Sequence, residues 1–291
     1  MKNPLLPLVC VSAMAFAMMS PSALQAQASK VAFPQPSPTA TLKQRVGVTD
    51  IEIIYSRPGA KGREIFGGLV PYGEVWRTGA NAATKITFST PIKFGGVDVA
   101  AGTYALFSIP DQKEWTVILN KVSGQWGAYR YDATNDVTRV KVAPTKLGEA
   151  IETFTIDVND IRDDSATLVL AWQNVRVPVK LETNLVAQLV PQIEAATSGT
   201  EKADARLLFS AATFYLDHDL DLKKASAWMD AAIEQNPKAF YMYYHKARIL
   251  AKLGDKAGAT AAANKSIELA EGSAKAEYTQ LNQKLLQSLG Q

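Results

Sequence analysis

The 291-residue sequence is poor in the side chains that most often do chemistry. It holds one cysteine, Cys10, and two histidines, His218 and His245. Cys10 sits in an N-terminal apolar run that reads as a cleaved segment, so the rest of the chain has no thiol. That excludes a disulfide, a cysteine nucleophile and a thiolate metal site. Two histidines exclude a multi-histidine zinc centre. A Ser-His-Asp triad would need a histidine reaching forward from the C-terminal part. An excess of one charge is also missing: 31 basic and 28 acidic residues leave a formal charge of +3. The charges are interspersed and no basic stripe surrounds the aromatics, so no nucleic-acid partner is expected. Phe66-Gly67-Gly68 is not followed by the Lys-Ser/Thr pair of a phosphate loop. The sequence calls for no metal and no cofactor. What it has is apolar material, 47% hydrophobic against 20% charged. That suffices for one large core or two smaller ones, and it excludes a disordered chain and a polytopic membrane protein.

Lys2 precedes an apolar stretch over 5–19, broken only by Pro7 and Ser12, and then Ala26-Gln27-Ala28. This is the pattern of a signal peptide over 1–28, which places the mature protein in the periplasm or outside the cell. No membrane span is expected after cleavage. Residues 29–44, with Pro34, Pro36 and Pro38, read as an extended tail. Over 45–183 the apolar period is mostly two. Strands are expected at 51–55, 84–89, 103–109, 115–119, 137–142, 149–158, 166–172 and 175–180. Tight turns are expected at Asp163-Asp164 and Gln173-Asn174, and Pro178 belongs on an edge or at a bulge. Over 184–291 alanine and leucine take over. Helices are expected at 184–196, interrupted by Pro191, and at 202–216, 222–235, 239–253, 256–270 and 274–289. Ala225, Ile233 and Glu234 recur as Ala259, Ile267 and Glu268, a 34-residue offset. That period resembles tetratricopeptide repeats. The fold class is therefore an antiparallel β-sandwich followed by an α-helical repeat module.

The long connection from Tyr55 to Thr84 is the most informative stretch. It has too many apolar groups for a disordered loop, among them Ile65, Phe66, Leu69, Val70 and Trp76. Arg57, Lys61, Arg63 and Arg77 face only two acids, Glu64 and Glu74. Guanidinium forks beside indole and phenol rings bind carboxylates, sulfates, phosphates or stacked sugars. Candidate binding residues are Arg57, Lys61, Arg63, Tyr72, Trp76, Arg77 and Asn81. Trp126 and Tyr129 join them if their aromatic loop faces the same mouth of the sandwich. Glu64 and Glu74 form an alternative acid pair for a carboxylate-dependent envelope hydrolase. Asp132, Asn135 and Asp136 make at most an incomplete calcium turn. Three readings stay open for the long connection: a structural plug, a pocket for a small anionic or glycan ligand, and a hydrolytic site.

Tyr55-Ser56-Arg57-Pro58, Lys61-Gly62-Arg63, Val70-Pro71-Tyr72-Gly73, Trp76-Arg77-Thr78-Gly79-Ala80-Asn81, Ala101-Gly102-Thr103-Tyr104 and Trp126-Gly127-Ala128-Tyr129 stand in this order. This run resembles a secreted bacterial family, that of the domain of unknown function 2911, over residues 44–182. The resemblance implies an exported β-domain and no established reaction. The favoured function is binding or scaffolding, with the helical module contacting a protein or peptide.

Overall fold

Ten strands in two antiparallel sheets precede six helices in the computed structural model, which describes residues 33–198 and 203–290. The signal-peptide pattern over 1–28 lies outside the described residues. The strands are β1 (Thr39–Val46), β2 (Thr49–Ser56), β3 (Thr84–Phe88), β4 (Ile92–Phe94), β5 (Val97–Val99), β6 (Gly102–Ile109), β7 (Trp115–Asn120), β8 (Asp136–Val142), β9 (Thr145–Asn159) and β10 (Ser165–Thr183). One sheet runs β1-β2-β3-β6-β7-β8 and the other β5-β4-β10-β9. Apolar side chains alternate inward from both. Ile53, Ile86, Leu106 and Val117 meet Phe154, Leu168, Leu170 and Val179 in one buried core. Period-two burial of branched and aromatic groups is what makes these segments strands.

The sheet starts earlier than the sequence indicates. The end of the stretch read as a tail is β1, paired with β2 from Thr39↔Ser56 to Val46↔Thr49. It is an edge strand whose half-exposed alternation gives a weak signal. Gln173-Asn174 is not a turn. β10 runs through it as one strand, with register shifts against β9 on either side of Gln173. Gln173 has a positive φ of 48°, so the residue bulges the strand instead of reversing it. Pro178 falls between the β9 register, which ends at Arg176↔Thr145, and the β4 register, which begins at Leu181↔Phe94. Its missing N–H therefore breaks no ladder bond. The β4–β5 hairpin turns on Gly95 and Gly96, both at positive φ (56° and 86°), the backbone of a two-residue hairpin loop.

β6 and β7 are buried on both faces. Phe107 and Ile118, paired across the strands, point away from the main core into a second apolar cluster with Ala83 and Ala105. Tyr131 closes it, its ring 5.1 Å from that of Phe107.

The helices are α1 (Leu185–Thr197), α2 (Ala205–Asp217), α3 (Leu222–Gln235), α4 (Phe240–Lys252), α5 (Lys256–Leu269) and α6 (Ala274–Ser288). α1 is continuous through Pro191. Asp204, Asp221 and Asp255 cap α2, α3 and α5, each accepting from backbone N–H groups of the first turn, as short acidic side chains do at helix starts. The 34-residue offset appears in space. α3 and α5 start and end 34 residues apart, their caps Asp221 and Asp255 correspond, and Ala225 and Ala259 are both fully buried. Among the described residues no helix is long and apolar enough to cross a membrane.

Candidate functional site

The connection between β2 and β3 is packed against the sandwich. Ile65, Phe66, Val70 and Trp76 belong to the main core. Trp76 is pinned beside β6 by a reciprocal pair of backbone hydrogen bonds with Ser108, 2.7 and 2.9 Å. Its indole N–H donates to Gly79 O at 3.1 Å. The indole stacks on Trp172 of β10, centroids 6.0 Å apart at 18°. It also meets Trp115, Phe154 and Phe66 edge-on, the offset and T-shaped geometries that aromatic quadrupoles favour. The Trp76 ring is therefore part of the sandwich core.

A cavity of about 220 Å³ opens beside this plug. Arg63, Trp76 and Arg77 line it together, with Leu69, Val70 and Trp172 among the other walls. No lining residue is a carboxylate. The Nε of Arg77 is buried and has no hydrogen-bond partner. Among the described residues no acid pairs with Arg77 or Arg63. Arg63 directs Nε and Nη2 to the carbonyls of Ala60 and Gly59, 3.0 and 2.7 Å away. Those bonds fix the fork and leave its charge uncompensated. Next to Arg77, Thr78 holds a φ of 52°. For a β-branched residue that backbone is strained, at a cost of about 1–3 kcal/mol. It is held by its hydroxyl against Ser108 Oγ, 2.9 Å, and by Thr84 Oγ1 donating to its carbonyl at 2.6 Å.

The other candidates stand elsewhere. Arg57 is a clamp onto β9, donating from Nε to Phe154 O at 3.1 Å and from Nη2 to Thr155 Oγ1 at 2.8 Å. Lys61 is exposed, and its backbone N–H donates to Glu152 Oε1 at 2.8 Å. The Tyr72 ring lies on Gly67, where a Cβ would stand 2.8 Å from it. Asn81 donates to Ser37 O and to Ser56 Oγ, both at 3.3 Å, and so ties the loop to β2. Glu64 and Glu74 are exposed and outside the cavity lining, so no acid pair faces it. The two loops do adjoin through their backbones: Ala83 N donates to Gln125 O and Gly127 N to Asn81 O. Trp126 and Tyr129 nevertheless line a different groove. Asp132 caps a short 3-10 turn over Ala133–Asn135. Asp136 accepts from Asn120, Tyr131 and Arg139, and its hydrogen bond, after burial, pushes the Tyr131 phenol up to about 12. These carboxylates are occupied by protein donors. Among the described residues no three His, Cys, Asp or Glu side chains gather to hold a metal ion. Trp172, an important wall, had no local signal. It comes from β10, where its pattern marks it only as core.

Residues 37–181 match the family described as a protein of unknown function (DUF2911), so the β-region carries a DUF2911 domain. The helical repeat-like region lies downstream of that match. No curated protein matches the chain. Among solved structures, the solution structure of a protein from Bordetella parapertussis is 23% identical over 34% of this chain and 85% of its own length, with a TM-score of 0.29.

Proposed function

We propose that the DUF2911 domain over residues 37–181 is a binding module for a small anion, in a periplasmic or secreted protein whose tetratricopeptide-like helices contact a protein partner. The observation that carries this reading is the Arg77 guanidinium, whose buried Nε has no partner beside a cavity without carboxylates. A buried N–H without an acceptor is costly, and the rest of the half-buried Arg77 guanidinium borders a cavity with no carboxylate to pair with. A ligand carboxylate, sulfate or phosphate in the cavity would meet the part of the guanidinium that lines it. Arg63 adds a second positive charge, while Leu69, Val70 and Trp172 offer an apolar wall for the ligand body. The volume is below the roughly 300–1,000 Å³ of drug-sized sites, so the ligand is small. The strained Thr78 supports the reading, because strain held in place beside a site is a common form of preorganisation.

Thermal denaturation of the full chain with sulfate, phosphate, acetate and benzoate, against neutral benzamide, tests it. An anion at a hundred times its Kd adds about 2.7 kcal/mol to the folded state. That gain is expected for at least one anion, not for benzamide, and not in Arg77→Ala. A wild-type protein indifferent to all four anions, with a severely destabilised Arg77→Ala variant, would make Arg77 a structural clamp and end the proposal.

A further inference from the structure

The aromatic loop that the Arg77 cavity leaves out forms a surface of its own. Trp126 is 68% exposed and Tyr129 83% exposed. They border a groove of about 520 Å³ with Val122, Gln125 and Arg130. Large rings left in water on a mobile tip would be unremarkable; here the loop beneath them is fixed. Gln125, Trp126 and Gly127 are paired along the backbone with Asn81–Ala83. Asn120 donates to Asp132 O at 3.0 Å and to the Asp136 carboxylate at 2.9 Å. Tyr131 is anchored over Phe107. Gly127, at a φ of 66°, lets the Tyr129 ring lie on it, since a Cβ there would come within 2.7 Å of that ring. The rings are thus held outward by a rigid base, the arrangement of preorganised aromatic anchors. Gln125 is only 7% exposed, and its side-chain amide donates to Val122 O at 2.8 Å, which stiffens the base further.

Charge and shape select the occupant. No acid lines the groove, and Arg130 forms no ion pair among the described residues. Outside the lining, Lys121 and Asp132 are both exposed, and the Asp132 carboxylate is engaged by Thr134. An anionic partner fits this field. A peptide strand pairs along a continuous sheet edge, whereas Ala82↔Trp126 is an isolated one-residue bridge, with the Gln125 carbonyl and the Gly127 N–H engaged on one side. Val122 is the single aliphatic side chain in the lining. What remains is flat ring surface with a cation at its margin. Pyranose rings stack on such faces through their C–H groups, and their carboxylates meet the guanidinium. We infer that the Trp126–Arg130 loop is a docking platform for an acidic polysaccharide, separate from the cavity at Arg77.

Affinity electrophoresis of the full chain through gels containing polygalacturonate, alginate, neutral dextran or poly-glutamate tests this. Retardation by at least one of the two acidic glycans is expected, stronger than by dextran. Trp126→Ala and Tyr129→Ala should each weaken it at least tenfold, and Arg130→Gln should erase the preference over dextran. Arg77→Ala should leave it unchanged, which separates this surface from the small-anion cavity. The exposure of these side chains makes the variants safe for folding, and unchanged melting temperatures confirm that. Three results would overturn the inference: no retardation by either acidic glycan, retardation that Trp126→Ala does not weaken, or equal retardation by poly-glutamate with the same dependence on Trp126. The last would identify a surface for acidic peptides.

Discussion

Arg57 and Arg77 occupy the same loop and carry the same charge, but their surroundings assign them different work. Arg57 holds two acceptors on β9, and hydrogen bonds from a charged donor contribute about 1.5–3 kcal/mol. Arg57→Ala should therefore lower unfolding free energy by that order in urea titrations. Among the described residues the buried Nε of Arg77 has no acceptor, so Arg77→Ala should cost less than Arg57→Ala while abolishing the anion response; a loss equal to that of Arg57→Ala would contradict the assignment. His245 yields a pH prediction. Burial, and then the nearby Arg248, push its pKa from 6.5 down to about 4, against a smaller opposing pull from Asp217. Its ring packs on Phe209 and Tyr244. Between pH 6.5 and 4 the unfolded chain binds the proton and the folded chain does not. Stability should fall through that window as the solution is acidified, by up to about 3 kcal/mol. His245→Phe should flatten the slope, read from denaturation midpoints at pH 4 and pH 7. At this scale the sequence discloses Arg63, Trp76 and Arg77 as a group because one loop holds all three. It is silent on which arginine finds acceptors, since those of Arg57 lie on β9, nearly a hundred residues further along.

The β4–β5 hairpin shows how an element can depend on one missing atom. Gly95 and Gly96 both take positive φ, but only Gly95 is crowded: a Cβ there would run into Val140 of β8, whereas Gly96 faces open space. Gly96→Ala should cost mainly backbone strain, about 1 kcal/mol. Gly95→Ala should cost that plus overpacking, a further 1–3 kcal/mol or so. Comparing the two by calorimetry isolates the contact between the sheets, and equal losses would show that Val140 yields freely. Elements with strong period and clear boundaries, such as β6, β7 and α2–α6, are legible from residue order alone. β1 and the Gln173 bulge are not. Threonines and charged residues alternate along β1 without a fully buried face, and a bulge draws on the same polar residues as a turn. Only the partner strand distinguishes them, and β9 continues past the site on both sides.

At the scale of the whole molecule, the change from strand to helix takes a single residue, Asn184, between β10 and α1. The β-region has its own large core, while the helices contribute two smaller clusters. Residues 37–183 should therefore unfold cooperatively as a fragment in scanning calorimetry. Residues 184–291 should be marginal, because the 34-residue repeat stands in only two copies, fewer than the three that usually stand alone. The opposite pattern would show that the helices support the sandwich. If the reading of 1–28 holds, the mass of the exported protein will place its first residue at Ser29, within two positions. The aromatic plug has an optical consequence. Trp76, Trp115 and Trp172 are close enough for their transition dipoles to couple, with Trp76 and Trp172 nearly parallel. Their coupled near-ultraviolet dichroism arises in the core behind the cavity, where Trp76 and Trp172 are walls, and a molecule seated there will alter it without any label. Trp126, 68% exposed, should report the other surface by its emission, over a background from half-buried Trp228 of α3.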